Sequence, residues 1–235
     1  MKLQNDTKTG PAHGKWYGDA CGTAFGLEVL GERWSMLIVR ELLVGPRRFS
    51  DLRASLPGIS AKVLTERLEG LANWGVLERK SLPPPAAARI YELTPWGYSA
   101  EPAIMELGRW AARSVRHDPN LPLSAASLMT SMKTMQLPEL RDAPDMAVGM
   151  VVGGEPYRVS VDGGKLSAVR GEIEDCEAVM RCDTARTIAG ALYADIPLAA
   201  LEAEAGLTVE GDRAVLERFV TLFGLPPKID APASA

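Results

Sequence analysis

Two breaks, Pro57-Gly58 and Gly75, constrain this chain most tightly, because they hold one well-marked helix between them. In ISAKVLTERLEGLANWGVLER (Ile59 to Arg79), Ser60 is a good N-cap and Ile59 can staple to Leu64. Leu64, Leu68 and Leu71 recur at helical spacing and point inward together. Lys62, Glu66, Glu69 and Asn73 fall on the opposite side, flanked by Thr65 and Arg67, so the outward face is polar and mostly short. Gly75 supplies a left-handed stop, and Val76 to Arg79 opens a strand. Such a helix fits a DNA-reading role, and it fits equally an ordinary core helix with a solvated face.

The preceding segments decide what this helix can pack against. Trp16 to Leu30 predicts an amphipathic helix weakened by Gly18, Gly22 and Gly26. Trp34 to Val44 predicts a core helix ended by Gly45-Pro46. Phe49-Ser50-Asp51 opens a short helix that runs to Leu56-Pro57, so two short helices meet at a tight turn and form a helix-turn-helix. Two strands, Val76 to Leu82 and Arg89 to Leu93, flank a proline-stiffened tip as a wing. Thr94-Pro95 predicts the cap of a long last helix reaching Arg116.

Charge divides along the same line. Residues 1–117 hold 16 Lys and Arg against 12 Asp and Glu, whereas residues 118–235 hold 10 against 18, so the overall −4 conceals a basic half and an acidic half. A polyanion partner for the first half follows. No run of about 18 apolar residues predicts a membrane span, and no charged-then-apolar leader is visible, so the expected location is the cytoplasm. Cys21, Cys176 and Cys182 are too scattered for a disulfide framework.

The stretches GERWSMLIVRELLVGPRRFSDLRASLPGISAKVLTERLEGLANWGVLER, PPPAAARIYELTPWG and LGRWA, in that order, closely resemble the HxlR-type winged-helix transcription regulators from about Tyr17 to Trp110. The resemblance implies a homodimer on a double-stranded DNA operator, most simply as a repressor. The candidate contacts are then Ser60, Lys62, Thr65, Glu66 and Arg67 at the major groove, with Arg47, Arg48, Arg79, Lys80 and Arg89 on phosphates or the minor groove. Arg67 has a nearly equal alternative as a salt bridge to a neighbouring helix. Cys21 matches a cysteine through which some such regulators are thought to sense oxidants, although Gly22 stands where the family often has proline. Its aromatic neighbours, and the lack of any nearby Lys or Arg except Lys15, favour a small residue packed in a dimer helix.

Beyond a linker at Asp118 to Pro122, a Met-rich helix (Ser124 to Leu137), strands at Met146 to Val152, Tyr157 to Val161, Leu166 to Arg170 and Val179 to Cys182, and late helices predict an α+β domain. With VMRCDTARTIAGALYADIPLAALEAEAGLTVEGDRAVLERFVTLF, residues 123–225 resemble the sterol-carrier-protein type of lipid-binding domain. The fold class expected is therefore α+β: an N-terminal winged helix-turn-helix domain at 16–117, then an α+β sterol-carrier-protein-like domain, with tails at 1–15 and 226–235. The second resemblance implies an apolar small-molecule effector, and Met129, Met132, Leu192, Tyr193 and Phe219 are the candidate pocket wall, against the plainer reading that they fill a core. Catalytic, nucleotide-binding and metal motifs are missing, so neither an enzyme nor a cofactor is expected. The alternative function is a lipid carrier whose winged helix serves dimerisation or protein contact.

Overall fold

Gly58 and Gly75 both adopt positive φ, 92° and 74°, and between them runs the helix that those breaks predict. The computed structural model describes residues 17–81 and 88–229. The expected tail at 1–15, the proline tip at 82–87 and most of the tail at 226–235 lie outside the described residues. Two compact units result: residues 17–39 with 46–99, and residues 40–45 with 100–229.

The first unit contains α1 (Gly22–Leu30), the start of α2 (Ser35–Leu42), β1 (Arg47–Arg48), α3 (Phe49–Ser55), α4 (Ala61–Asn73), β2 (Leu77–Ser81), β3 (Arg89–Leu93) and α5 (Pro95–Tyr98). Its strands form an antiparallel sheet in the order β1-β3-β2, with Arg47 and Arg79 both opposite Tyr91. Leu52, Leu64, Leu68, Leu71 and Leu77 are buried, which places the helical leucine stripe of α4 in the core of the unit.

The long helix expected from Thr94-Pro95 is two helices. Thr94 caps only α5, its Oγ1 accepting from Gly97 N at 3.1 Å, and α6 (Glu101–Ala112) starts afresh after Ala100. Pro102 explains the break: it has no N–H for the carbonyl of Tyr98, and its ring would collide with that carbonyl in a continuous helix. At the first turn of α6 the same proline is harmless.

The second unit takes in residues 40–45, α6, α7 (Ala125–Thr134), a 3-10 turn at Pro138–Asp142, β4 (Met146–Val152), β5 (Glu155–Asp162), β6 (Lys165–Arg170), β7 (Ala178–Cys182), α8 (Ala185–Tyr193), α9 (Leu198–Glu204), β8 (Thr208–Gly211) and α10 (Arg213–Val220). The sheet order is β6-β5-β4-β7-β8, antiparallel except between β4 and β7. Gly153-Gly154 and Gly163-Gly164 all have positive φ, as two-residue hairpin turns require. Alternation then sends Val148, Met150, Tyr157, Val159 and Met180 into one apolar core with Leu128, Met132, Ile188, Leu216 and Phe219 from the helices.

Candidate nucleic-acid interface

The face of α4 opposite its leucines carries the predicted reading residues. Ser60 caps the helix, its Oγ accepting from Val63 N at 3.2 Å, which leaves the residue exposed at the first turn. Lys62 is 86% exposed and lies 4.0 Å from Glu66, a loose i,i+4 pair that water and salt screen. Thr65 is exposed, although its Oγ1 donates to Ala61 O at 3.0 Å. Ser60, Lys62 and Thr65 are exposed and Glu66 is half-buried, so the first two turns of α4 offer polar side chains to solvent.

Arg67 stands on the flank. Its Nε donates to Arg33 O at 3.1 Å and its Nη2 lies 2.9 Å from Glu32 Oε2, so the structure realises the intradomain salt bridge rather than a free cation. Arg47 departs from the expectation more sharply: it is 2% exposed, with Nη1 donating to Ser55 Oγ at 3.4 Å, and a phosphate cannot reach it. Successive residues of a strand face opposite ways, so burying Arg47 turns Arg48 outward. Arg48 is exposed at the start of α3, where its N–H donates to Asp51 Oδ2 at 3.3 Å.

In the wing, Arg79 lies with its guanidinium carbon 5.4 Å from the ring centre of Tyr91, and Arg89 is exposed opposite Ser81. Lys80 is enclosed by charge instead: Nζ is 2.8 Å from Glu78 and 2.7 Å from Glu92, which face each other across the strands. Hydrogen bonds to those carboxylates push its ammonium well above the usual lysine range. Sequence reasoning passed over Arg33, whose position becomes visible only through its contact with Arg67, 34 residues away.

Cys21 is exposed in the single chain, at the N-cap of α1. Hydrogen bonds from the backbone and side chain of Thr23, then the backbone of Ala24, lower its thiol below the ordinary value.

In the second unit the five pocket candidates do come together, as core. Met129, Met132 and Phe219 are 0% exposed, Leu192 is buried, and Tyr193 packs against the same cluster with its hydroxyl 2.8 Å from Ser131 Oγ. Burial pushes that phenol well above the usual tyrosine range. A groove of about 320 Å3 lies elsewhere, lined by Ile173, Glu174, Cys176, Ala178, Val179, Arg181, Glu210 and Gly211. Its rim carries a forked Arg181–Glu210 pair at 3.0 and 3.3 Å. Among the described residues, no group of three or more His, Cys, Asp or Glu could hold a metal ion, and no helix is long and apolar enough to cross a membrane.

The N-terminal part of the chain has known relatives in sequence. A family model described as HxlR-like helix-turn-helix matches residues 29–119. The uncharacterised HTH-type transcriptional regulator YvaP of Bacillus subtilis is 40% identical over 85 residues, 36% of this chain and 79% of that protein. The HTH-type transcriptional regulator YodB of the same organism is 39% identical over 89 residues, covering 38% of this chain and 78% of that protein. The solved structure of reduced YodB from B. subtilis aligns over 42% of this chain and 98% of its own, at 34% identity and a TM-score of 0.38. With over three-quarters of two such relatives spanned at about 40% identity, the chain belongs to the HxlR-like helix-turn-helix family of transcriptional regulators.

Proposed function

We propose that this chain is a sequence-specific DNA-binding transcription regulator that works as a homodimeric repressor on a double-stranded operator. The observation that carries the proposal is α4, whose buried leucines fix it to the unit while Ser60, Lys62, Thr65 and Glu66 present a short polar face. A helix of this kind fits the major groove, and Arg48, Arg79 and Arg89 supply cations for the backbone beside it. Two large apolar exposures support self-association: Trp110, 72% exposed on α6, with Leu107 one turn before it, and Phe25 with Leu27 on α1. The test is a gel-shift with sheared genomic DNA at two salt concentrations. Retained fragments should carry paired half-sites about one or two helical turns apart and be lost at the higher salt. Failure to retain any fragment defeats the proposal.

The second unit is proposed to bind an apolar small molecule that changes operator affinity. Support comes from the resemblance of the sequence at residues 123–225 to the sterol-carrier-protein type and from the apolar core of this unit. Because Met129, Met132 and Phe219 are closely packed, an effector lodged among them has to displace core contacts, which makes this a binding mode coupled to rearrangement. Coupling is reciprocal: a lipid extract that weakens DNA binding by the full chain must itself be retained less well by the DNA complex. Equal DNA affinity with and without extract removes the effector.

A further inference from the structure

The turn between α1 and α2 is bound to the flank of α4. Arg67 reaches it through both the Glu32 carboxylate and the Arg33 carbonyl, at 2.9 and 3.1 Å. Trp34 takes a left-handed conformation, φ 82°, and its ring edge comes within 3.8 Å of the position a Cβ would occupy on Gly58, in the turn that leads to α4. Arg33 is exposed, with its guanidinium carbon 5.4 Å from the centre of the Trp34 ring, and forms no ion pair among the described residues.

We infer that Arg33 grips a DNA phosphate beside α4; the inference rests on α4 being the helix that reads DNA. The major groove is about 12 Å wide and a helix with its side chains fills about 10–12 Å, so whatever is fastened to the flank of the inserted helix meets the sugar-phosphate wall. Arg67 and Glu32 neutralise each other, which leaves Arg33 as the net positive charge of the cluster. The cation-π contact with Trp34 places the guanidinium against the ring, and its planar fork of donors can serve phosphate oxygens. The contact also restricts the side chain before DNA arrives, which lowers the cost of ordering it.

The experiment measures affinity against salt for the full chain, Arg33→Gln, Arg33→Ala and Arg67→Ala, on a duplex recovered by the unaltered protein from sheared genomic DNA. Arg33→Gln keeps a polar planar group over Trp34 without the charge, so it guards against loss of fold, and melting curves accompany each variant. Both Arg33 variants should lower the salt slope by about one and weaken binding roughly eightfold near 0.1 M salt, while Arg67→Ala leaves the slope unchanged. A slope equal to that of the unaltered protein in folded Arg33→Gln overturns the assignment while leaving α4 in place. If the unaltered protein recovers no duplex, the DNA-reading role of α4 falls and the inference with it.

Discussion

Arg67 Nη2 lies 2.9 Å from Glu32 Oε2, which joins the middle of α4 to the turn that opens α2. The pair is partly exposed, and water screens it, so its coupling in a double-mutant cycle of Arg67→Ala and Glu32→Ala should be only about 0.5–1 kcal/mol. Denaturant unfolding of the four proteins measures it. Additive losses would mean that the two side chains do not hold each other in solution.

The wing has a different electrostatic logic. Glu78 and Glu92 are direct cross-strand partners, and Lys80 lies between them. Lys80→Ala leaves two carboxylates facing each other on a surface proposed to approach DNA, so affinity should fall by more than one lost phosphate contact explains. Lys80→Ala combined with Glu78→Gln and Glu92→Gln should recover much of that loss. Lys62→Ala and Arg89→Ala, which remove exposed cations, should each reduce the salt slope by about one. If Lys80→Ala and the triple variant bind equally, the carboxylates do not govern the wing.

What could be read in advance was local. Ser60, the leucine stripe and Gly75 specify α4 within a few residues of themselves, and the glycine pairs specify the hairpins of the second unit in the same way. The Pro102 break was equally legible, but the apolar periodicity running through it concealed its meaning. Arg67 and Glu32 are brought together by folding, and nothing near either residue signals the other. For Arg47-Arg48, a two-residue strand shows that one side chain faces in without saying which. Met129 and Met132 would have the same composition and spacing whether they lined a cavity or filled a core, and only packing separates those outcomes.

Two glycines of the first unit should respond oppositely to alanine. A Cβ on Gly97 would stand 2.0 Å from Val76 O, a backbone atom that already accepts from Thr94 N at 3.0 Å. Neither side can yield without moving α5 against β2, so Gly97→Ala should cost about 3 kcal/mol, the upper end for overpacking. A Cβ on Gly70, inside α4, meets nothing within 4 Å. Gly70→Ala should stabilise by about 0.5–1 kcal/mol through helix propensity and a less disordered unfolded chain. Urea midpoints of the two variants on opposite sides of the parent are the expected result.

The three thiols are ranked by their surroundings. Hydrogen bonds around Cys21 favour its thiolate, burial raises Cys176 despite Arg158 nearby, and burial pushes Cys182 up to about 11 while its S–H points to Thr184 O at 3.1 Å. Iodoacetamide should therefore label Cys21 first, and at a pH below the usual thiol midpoint of about 8.5. If Cys21 governs an oxidant response, diamide should alter DNA binding by the parent and leave Cys21→Ser unchanged; an equal response in both excludes it. For Cys182 the sign is that of an acid whose folded pKa is raised, so its contribution is intact below the unfolded thiol value and is lost as pH rises through about 11. Stability in Cys21→Ser/Cys176→Ser should accordingly fall from about pH 9 upward, and a further Cys182→Ala should flatten that part of the curve, leaving the steeper loss above pH 10 to tyrosines such as Tyr193. An unchanged slope between pH 9 and 10 after Cys182→Ala would mean that the thiol ionises as easily in the folded chain as in the unfolded one.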